Sequence, residues 1–114
     1  MIKIKSKYKA KKTEIDGIVF DSRKEAKRYT ELKLMEKAGI ITDLELQVPY
    51  VILPAYRKNG KKIREIKYIA DFVYWDTEKN KKIVEDVKGV KTEVYKIKKK
   101  LFEYKYGDLE IIEI

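Results

Sequence analysis

Residues 68–90, YIADFVYWDTEKNKKIVEDVKGV, decide the fold because they predict two strands joined by a polar turn. The two outer segments are rich in strand-forming side chains, and DTEKNK (76–81) between them has turn-forming composition. If the first and last residues of this turn segment pair, the same antiparallel register places Asp71 opposite Asp86. The hairpin therefore predicts two carboxylates on one face of a sheet.

Two aspartates in this arrangement repel each other, because like charges directly opposite on paired strands are destabilising. A hard divalent cation would compensate, since it prefers oxygen ligands. Lys88 lies two residues after Asp86 and therefore shares its face. On the residues alone, a solvated charged strand explains the pattern equally well, because acid-x-Lys triplets are frequent in so lysine-rich a chain. The triplet Asp86-Val87-Lys88 differs from the others because a second acid, Asp71, lies opposite it on the paired strand.

The neighbouring Glu85 points to the opposite face in this register. That face also carries Phe72 and Tyr74, so a glutamate there would need a partner such as a lysine or a tyrosine. A slip of one residue would exchange the roles of Glu85 and Asp86.

Composition limits the kind of chemistry. The chain has 114 residues with 44% hydrophobic content, which predicts one domain with a modest core. Absence of cysteine and histidine excludes disulfides, thiolate and imidazole metal sites, and catalysis by serine or cysteine with histidine. Hydrolysis would depend on carboxylates, lysine and a metal such as Mg²⁺ or Mn²⁺. No apolar run could span a bilayer and no signal peptide is recognisable, so we expect no membrane partner and a cytoplasmic location.

Charge indicates the partner. The net charge of +9 and the pI near 9.5 favour a polyanion such as DNA. Residues 1–12 are predicted to be a basic flexible arm, although a merely solubilising terminus is the alternative. The residues expected to bind nucleic acid lie in this arm and in a second basic cluster near the hairpin. They are Lys7, Lys9, Lys11, Lys12, Lys91, Tyr95, Lys98 and Lys99. Such phosphate contacts would be sensitive to salt and independent of sequence.

The rest of the chain, residues 13–114, is predicted to be a single α+β domain. A small hairpin over 13–20 comes first, and Ser22 precedes a helix that runs to about Lys37. Residues 44–53 predict a strand, and Thr92 is expected to cap a second helix with a stripe of apolar residues. The stripe consists of Val94, Ile97, Leu101 and Tyr104. With a final strand over 109–114, the core order is α, β, β, β, α, β around one mixed sheet flanked by helices.

This order, with Asp71 and the triplet Asp86-Val87-Lys88 on successive strands, resembles the PD-(D/E)xK nuclease superfamily. The segments FDSRKEAKRYTELKLMEKAGIITDLELQ (20–47), YIADFVYW (68–75) and VEDVKG (84–89) are similar to a family of small phage-encoded proteins placed in that superfamily. The proline of the superfamily name is missing, since Ala70 precedes Asp71.

The resemblance implies a restriction-endonuclease-like core and assigns the site residues. Asp71 and Asp86 would bind one or two Mg²⁺ ions, with Glu25 and the carbonyl of Val87 as further ligands, and Lys88 would complete the catalytic set. Gln47 would lie next to the metal ligands and support them without binding the metal itself. A simple surface residue is an equally good explanation of Gln47. Ser22-x-x-Glu25 is also a capping box, so Glu25 has a structural alternative.

The function implied by the resemblance is a Mg²⁺-dependent phage endodeoxyribonuclease acting in the host cytoplasm. Branched DNA such as a Holliday junction, cut during recombination, is a plausible substrate, and the small size and basic arm fit a homodimer. A nucleic-acid-binding module without catalysis is the main alternative. A protein-interaction factor with a basic surface is the third.

Overall fold

The computed structural model describes residues 12–114. Most of the predicted arm, with Lys7, Lys9 and Lys11, lies outside these residues. The elements are β1 (Thr13–Ile15), β2 (Ile18–Phe20), α1 (Arg23–Lys37), β3 (Ile41–Leu53), β4 (Tyr56–Lys58), β5 (Lys61–Ile63), β6 (Ile66–Asp76), β7 (Lys81–Asp86), α2 (Glu93–Lys105) and β8 (Ile111–Glu113). In residues 12–114 no helix is long and apolar enough to cross a membrane.

The main sheet has four strands in the order β3-β6-β7-β8. The β3–β6 and β6–β7 pairs are antiparallel, whereas β8 runs parallel to β7. The sheet is therefore mixed, with a helix packed against each face, and the predicted α+β class is confirmed. The predicted register is confirmed as well, because Phe72 pairs with Glu85 and Asp76 with Lys81.

Two small hairpins stand outside this sheet, and positive backbone angles explain their tight turns. Asp16 and Gly17 have φ of 54° and 76°, and Asn59 and Gly60 have 53° and 76°. Positive φ at both central positions is what a two-residue hairpin loop requires. The strands of the second hairpin, β4–β5, were not predicted, because their residues are too polar and too few to indicate strands.

β3 is longer than predicted, since it begins at Ile41 rather than at residue 44. Aspartate is a residue type typical of turns, but in the structure Asp43 lies within β3. It adopts φ of 56° where the β3–β6 register shifts between Thr42 and Glu45. Such an irregularity lets an otherwise paired strand continue past a residue that does not fit the ladder.

Side chains cap both helices where the sequence predicts. Ser22 accepts a hydrogen bond from the backbone N–H of Glu25 at 3.1 Å, and Thr92 accepts one from the N–H of Tyr95 at 3.1 Å. Each bond satisfies one of the backbone donors that a helix N-terminus leaves free. The caps fix where α1 and α2 begin relative to the sheet.

The core consists of two clusters, one under each helix. The α1 cluster contains Phe20, Ala26, Tyr29, Leu32, Ile41, Phe72, Tyr74 and Ile83, with Leu44 and Leu46 packed against it. The α2 cluster contains Ile52, Tyr68, Ala70, Val73, Val84, Tyr95, Phe102 and Ile111, with Val48 and Tyr50 packed against it. Each cluster buries one face of the sheet.

The paired strands β3 and β6 pack their apolar side chains against α1 over one part of their length and against α2 over the other part. Leu46 packs with the α1 cluster and Val48 with the α2 cluster, although alternation would keep these two residues on one side. Phe72 and Ala70, their partners on β6, divide in the same way. Gln47 lies at the point of change with a left-handed φ of 53°. Simple alternation, on which the sequence prediction relied, does not hold here.

The apolar stripe predicted on α2 does not face the core. Its exposed fractions are 62% for Val94, 57% for Ile97, 42% for Leu101 and 90% for Tyr104. The helix packs instead through Tyr95 and Phe102, which belong to the α2 cluster and are buried.

An ion pair connects α1 to the sheet. Arg28 donates to both carboxylate oxygens of Glu85, at 2.7 Å and 2.6 Å, and the hydroxyl of Tyr74 donates to the same carboxylate. Glu85 is only 1% exposed. The predicted need for a partner is met by a tyrosine and an arginine, and the pair holds α1 against β7.

Removal of the arginine should therefore destabilise the protein strongly. We expect Arg28→Ala to lower the free energy of unfolding by about 3–5 kcal/mol, because a buried carboxylate loses its counter-charge. Glu31→Ala, which removes the exposed partner of the same arginine, should cost about 0.5 kcal/mol or less. Urea denaturation measures both, and equal losses would contradict a dominant role for Glu85.

Candidate active site

A cleft of about 940 Å³, which we call the acidic cleft after the four carboxylates in its lining, opens between the start of α1, the middle of β6 and the end of β7. The charged side chains of its lining are four acids and four cations: Asp21, Glu25, Asp71, Asp86, Lys12, Arg23, Lys24 and Lys88. Three separate elements thus bring the four predicted catalytic side chains into one cavity. The register of β6 with β7 supplies the two aspartates, and the Ser22 cap positions the first turn of α1 beside them.

Asp86 is the most buried acid of the cleft, with an exposed fraction of 2%. One carboxylate oxygen accepts a 2.6 Å hydrogen bond from the Tyr68 hydroxyl, and the other lies 3.3 Å from the Lys88 ammonium. Burial, followed by a hydrogen bond shared with Asp71, raises the pKa of Asp86 to about 7. The two aspartates therefore lie close enough to compete for one proton.

Asp71 is held from two sides. One oxygen accepts a hydrogen bond from the backbone N–H of Val87 at 2.8 Å, and the other accepts one from the side-chain amide of Gln47 at 3.1 Å. The first bond joins β6 to the chain that follows Asp86, beyond the last paired residues of the β6–β7 ladder. It fixes the carboxylate although the strands themselves no longer pair there.

Glu25 faces the cleft, and its carboxylate accepts from the Gln47 amide at 3.2 Å. Among residues 12–114, no hydrogen bond returns from this carboxylate to the Ser22 backbone, so the capping box is only half formed. Burial, reinforced by the charges of Asp71, Asp21 and Asp86, raises the pKa of Glu25 to about 7. The structure thus brings Glu25 to the site and leaves capping to the serine.

Gln47 lies between two of the acids, because its amide nitrogen donates to both Glu25 and Asp71. Its left-handed backbone is uncommon for a residue with a side chain and occurs mainly where surrounding structure enforces it. The residue predicted to support the site therefore touches two of its proposed ligands.

Lys88 is positioned by contacts on several sides. Its ammonium lies beside Asp86 and 4.0 Å from the centre of the Tyr95 ring, which favours a cation. Its carbonyl accepts a 3.0 Å hydrogen bond from Lys24, and its N–H donates to the carbonyl of Ile114 at 3.3 Å. These contacts hold the backbone as well as the charged group.

The acids do not already form a complete cage for a metal. Within residues 12–114, no three acidic side chains are arranged as a ready-made set of ligands. The amide of Gln47 separates Glu25 from Asp71, and Tyr68 occupies one oxygen of Asp86. A cation would have to draw these carboxylates together.

The predicted nucleic-acid-binding residues divide into three groups. Lys12 lines the acidic cleft and Lys98 lines a neighbouring one. Lys91 and Lys99 form ion pairs with acids, at 2.9 Å and 3.9 Å. Tyr95 is buried and its hydroxyl donates to Glu113, so the structure does not present its ring for stacking on a base. Lys7, Lys9 and Lys11 of the arm lie outside the described residues.

Sequence reasoning missed two side chains of the site. By strand alternation Tyr68 shares a face with Phe72 and Tyr74, yet its hydroxyl is the donor to Asp86. Lys24 was not singled out, since one lysine in a basic helix carries no distinguishing signal. Tyr68 reaches the aspartate because the side chains of β6 change from the α2 cluster to the α1 cluster between Ala70 and Phe72. Strand alternation does not predict this change.

The fold and the cleft define an α+β protein with an acidic, lysine-containing candidate active site. A family model described as "Protein of unknown function (DUF1064)" matches residues 5–114. Because the match spans nearly the whole chain, the protein belongs to this family. No curated protein and no solved structure matches the chain.

The raised pKa values predict how stability depends on pH. Glu25 and Asp86 bind protons more tightly in the folded than in the unfolded state, so their contribution to stability falls as pH rises from about 4 through about 7. Asp86→Asn, which imitates a protonated carboxyl, should therefore gain stability relative to the wild type at pH 8 and not at pH 4. Urea denaturation in EDTA at both pH values measures the difference, and a gain of equal size at both would contradict the prediction.

Proposed function

We propose that this protein is a metal-dependent endonuclease that hydrolyses phosphodiester bonds of DNA in the acidic cleft. The observation that carries the proposal is the convergence of Glu25, Asp71 and Asp86 in one cavity, with the ammonium of Lys88 at 3.3 Å from Asp86. Acids on two adjoining strands, a lysine two residues later and an acid on the first helix form the pattern of the PD-(D/E)xK superfamily. The mixed sheet and the element order support a restriction-endonuclease-like core.

The donor chemistry of the cleft fits a hard divalent cation such as Mg²⁺ or Mn²⁺. Glu25, Asp71 and Asp86 offer carboxylate oxygens, and Val87 lines the same cleft and could add its carbonyl. Burial, followed by neighbouring carboxylates, raises the pKa values of Glu25 and Asp86, and a cation bound there would stabilise their charged forms. A cation bound there would supply Lewis-acid stabilisation of the phosphate and lower the pKa of nearby water.

The chain's own residues would orient the reactants. Lys88 can align or deprotonate the attacking water and stabilise the added negative charge of the pentavalent transition state. Tyr68 holds Asp86 in place by its 2.6 Å bond, and Gln47 holds Glu25 and Asp71. Such supporting hydrogen bonds typically orient the groups that contact a metal or a substrate.

The choice of substrate rests on the resemblance to phage-encoded proteins and on charge. The net charge of +9 supports binding of nucleic acid. Branched DNA processed during recombination, such as a Holliday junction, is the substrate we propose, cut by a homodimer that makes paired incisions. A fold of this kind serves many reactions, so the substrate must be found by direct comparison.

A cleavage panel tests the proposal. Supercoiled plasmid, linear duplex and a synthetic four-way junction are incubated with the protein and Mg²⁺ or Mn²⁺. We expect cutting that EDTA abolishes, with Asp86→Asn and Lys88→Ala each slower by a factor of about 10²–10⁴, because a positioned acid–base or charged group contributes on this scale. Lys82→Ala removes an exposed lysine from the same strand and should leave the rate unchanged.

The same panel separates the alternatives. Cutting by Asp86→Asn and Lys88→Ala at the wild-type rate would contradict the site assignment. Binding of DNA without cutting under any metal would favour the non-catalytic binding module, which is consistent with the lack of a ready-made ligand set in residues 12–114. Failure to bind DNA or RNA at low salt would favour a protein-interaction factor.

A further inference from the structure

A second, smaller cleft of about 260 Å³ adjoins the acidic cleft. We call it the lysine cleft, and the residues of its lining that matter here are Lys67, Ile69, Asp86, Lys88, Val94 and Lys98. Ile69, Asp86 and Lys88 line both cavities. The two clefts are therefore continuous across the proposed catalytic residues, and the lysine cleft lies on the α2 side.

Two of the lysines on α2 are neutralised by acids of the same helix. Lys96 and Lys99 form ion pairs with glutamates of their own helix, at 3.2 Å and 3.9 Å. Among the described part of the chain, Lys67 and Lys98 form no ion pair, and Asp86, the acid in the cleft lining, is already bonded to Tyr68. The cleft lining thus holds three lysines and one acid, Asp86, which is already paired with Lys88.

The distance along β6 indicates how far the charge of Lys67 lies from the proposed site of cleavage. Lys67, Ile69 and Asp71 are alternate residues of one strand, and four residues of a strand span about 13 Å. That distance corresponds to about four nucleotides along the axis of B-form DNA, at about 3.4 Å per nucleotide of one strand. Ile69, which is 51% exposed, lies between the two positions and offers an apolar surface to a sugar or a base.

We infer that Lys67 and Lys98 bind a backbone phosphate of the nucleic-acid strand, so that the strand passes from the acidic cleft over Ile69 into the lysine cleft. The ligand is a phosphodiester, recognised by charge and without regard to base sequence. The placement of this phosphate within about four nucleotides of the cut, on one side of it, rests on the proposed function.

Binding without cleavage tests the phosphate site by itself. Fluorescence anisotropy follows a labelled 30-base-pair duplex with the full chain in EDTA over a series of KCl concentrations. We expect Lys67→Ala and Lys98→Ala each to weaken binding severalfold near 0.1 M salt, and the double variant to lose the whole contact and so to reduce the slope of log affinity against log salt by about 0.9, the value for one phosphate contact. Thermal melts confirm that each variant is folded.

Matched controls make the result specific. Lys96→Ala changes the same charge on the same helix, and Lys82→Ala does so at an exposed position of β7. Both should retain more of the affinity and of the salt slope than the cleft variants. Equal effects of the controls and the cleft variants would overturn the inference, as would a wild-type protein that does not bind the duplex. Because no divalent metal is present, the outcome is independent of whether the protein cuts DNA.

A substrate that is cut locates the contact. Neutral methylphosphonate linkages are introduced one at a time on both sides of the cleavage position, and cutting rates are compared for wild type and Lys98→Ala. We expect one linkage, within about four nucleotides on one side, to slow the wild type and to slow the variant less, because the variant has already lost part of that contact. Additive effects at every position would overturn the placement of the phosphate next to Lys98.

Discussion

Asp71 and Asp86 lie together at the end of the β6–β7 ladder, and their repulsion sets the requirements for the side chains around them. A tyrosine and a lysine contact Asp86, while a backbone N–H and the amide of Gln47 hold Asp71. These contacts do not fully compensate, since the pKa of Asp86 remains raised to about 7. A fold that keeps such a cluster retains a local cost in stability, which is common where a site must bind a ligand.

The neighbouring Glu85 shows what full compensation looks like. Arg28 binds both of its oxygens and Tyr74 donates to it, so this carboxylate fastens α1 to the sheet. Glu25 lies one turn before Arg28 on the same helix, and the ion pair therefore also fixes how far Glu25 stands from Asp86. Two adjacent acids of β7 thus have different tasks: one holds the scaffold together, and the other remains available to a ligand.

Local rules predicted the parts of the fold that depend on local chemistry. Turn composition gave the register that sets Asp71 against Asp86, and Ser22 and Thr92 gave the starts of both helices. The change of face at Gln47 could not be predicted, because it depends on how one ribbon packs between two helices. For the same reason Tyr68 was missed, and the stripe on α2 proved exposed because burial depends on which face meets the sheet.

The last strand completes the site through its backbone. The N–H of Ile114 donates to the carbonyl of Asp86 at 2.9 Å, and its carbonyl accepts from the N–H of Lys88. The ribosome adds these residues after those of every other element, roughly a few seconds after Asp86 at 5–20 residues per second. A nascent chain therefore carries all the acids of the cleft before Ile114 can hold the backbone at Asp86 and Lys88.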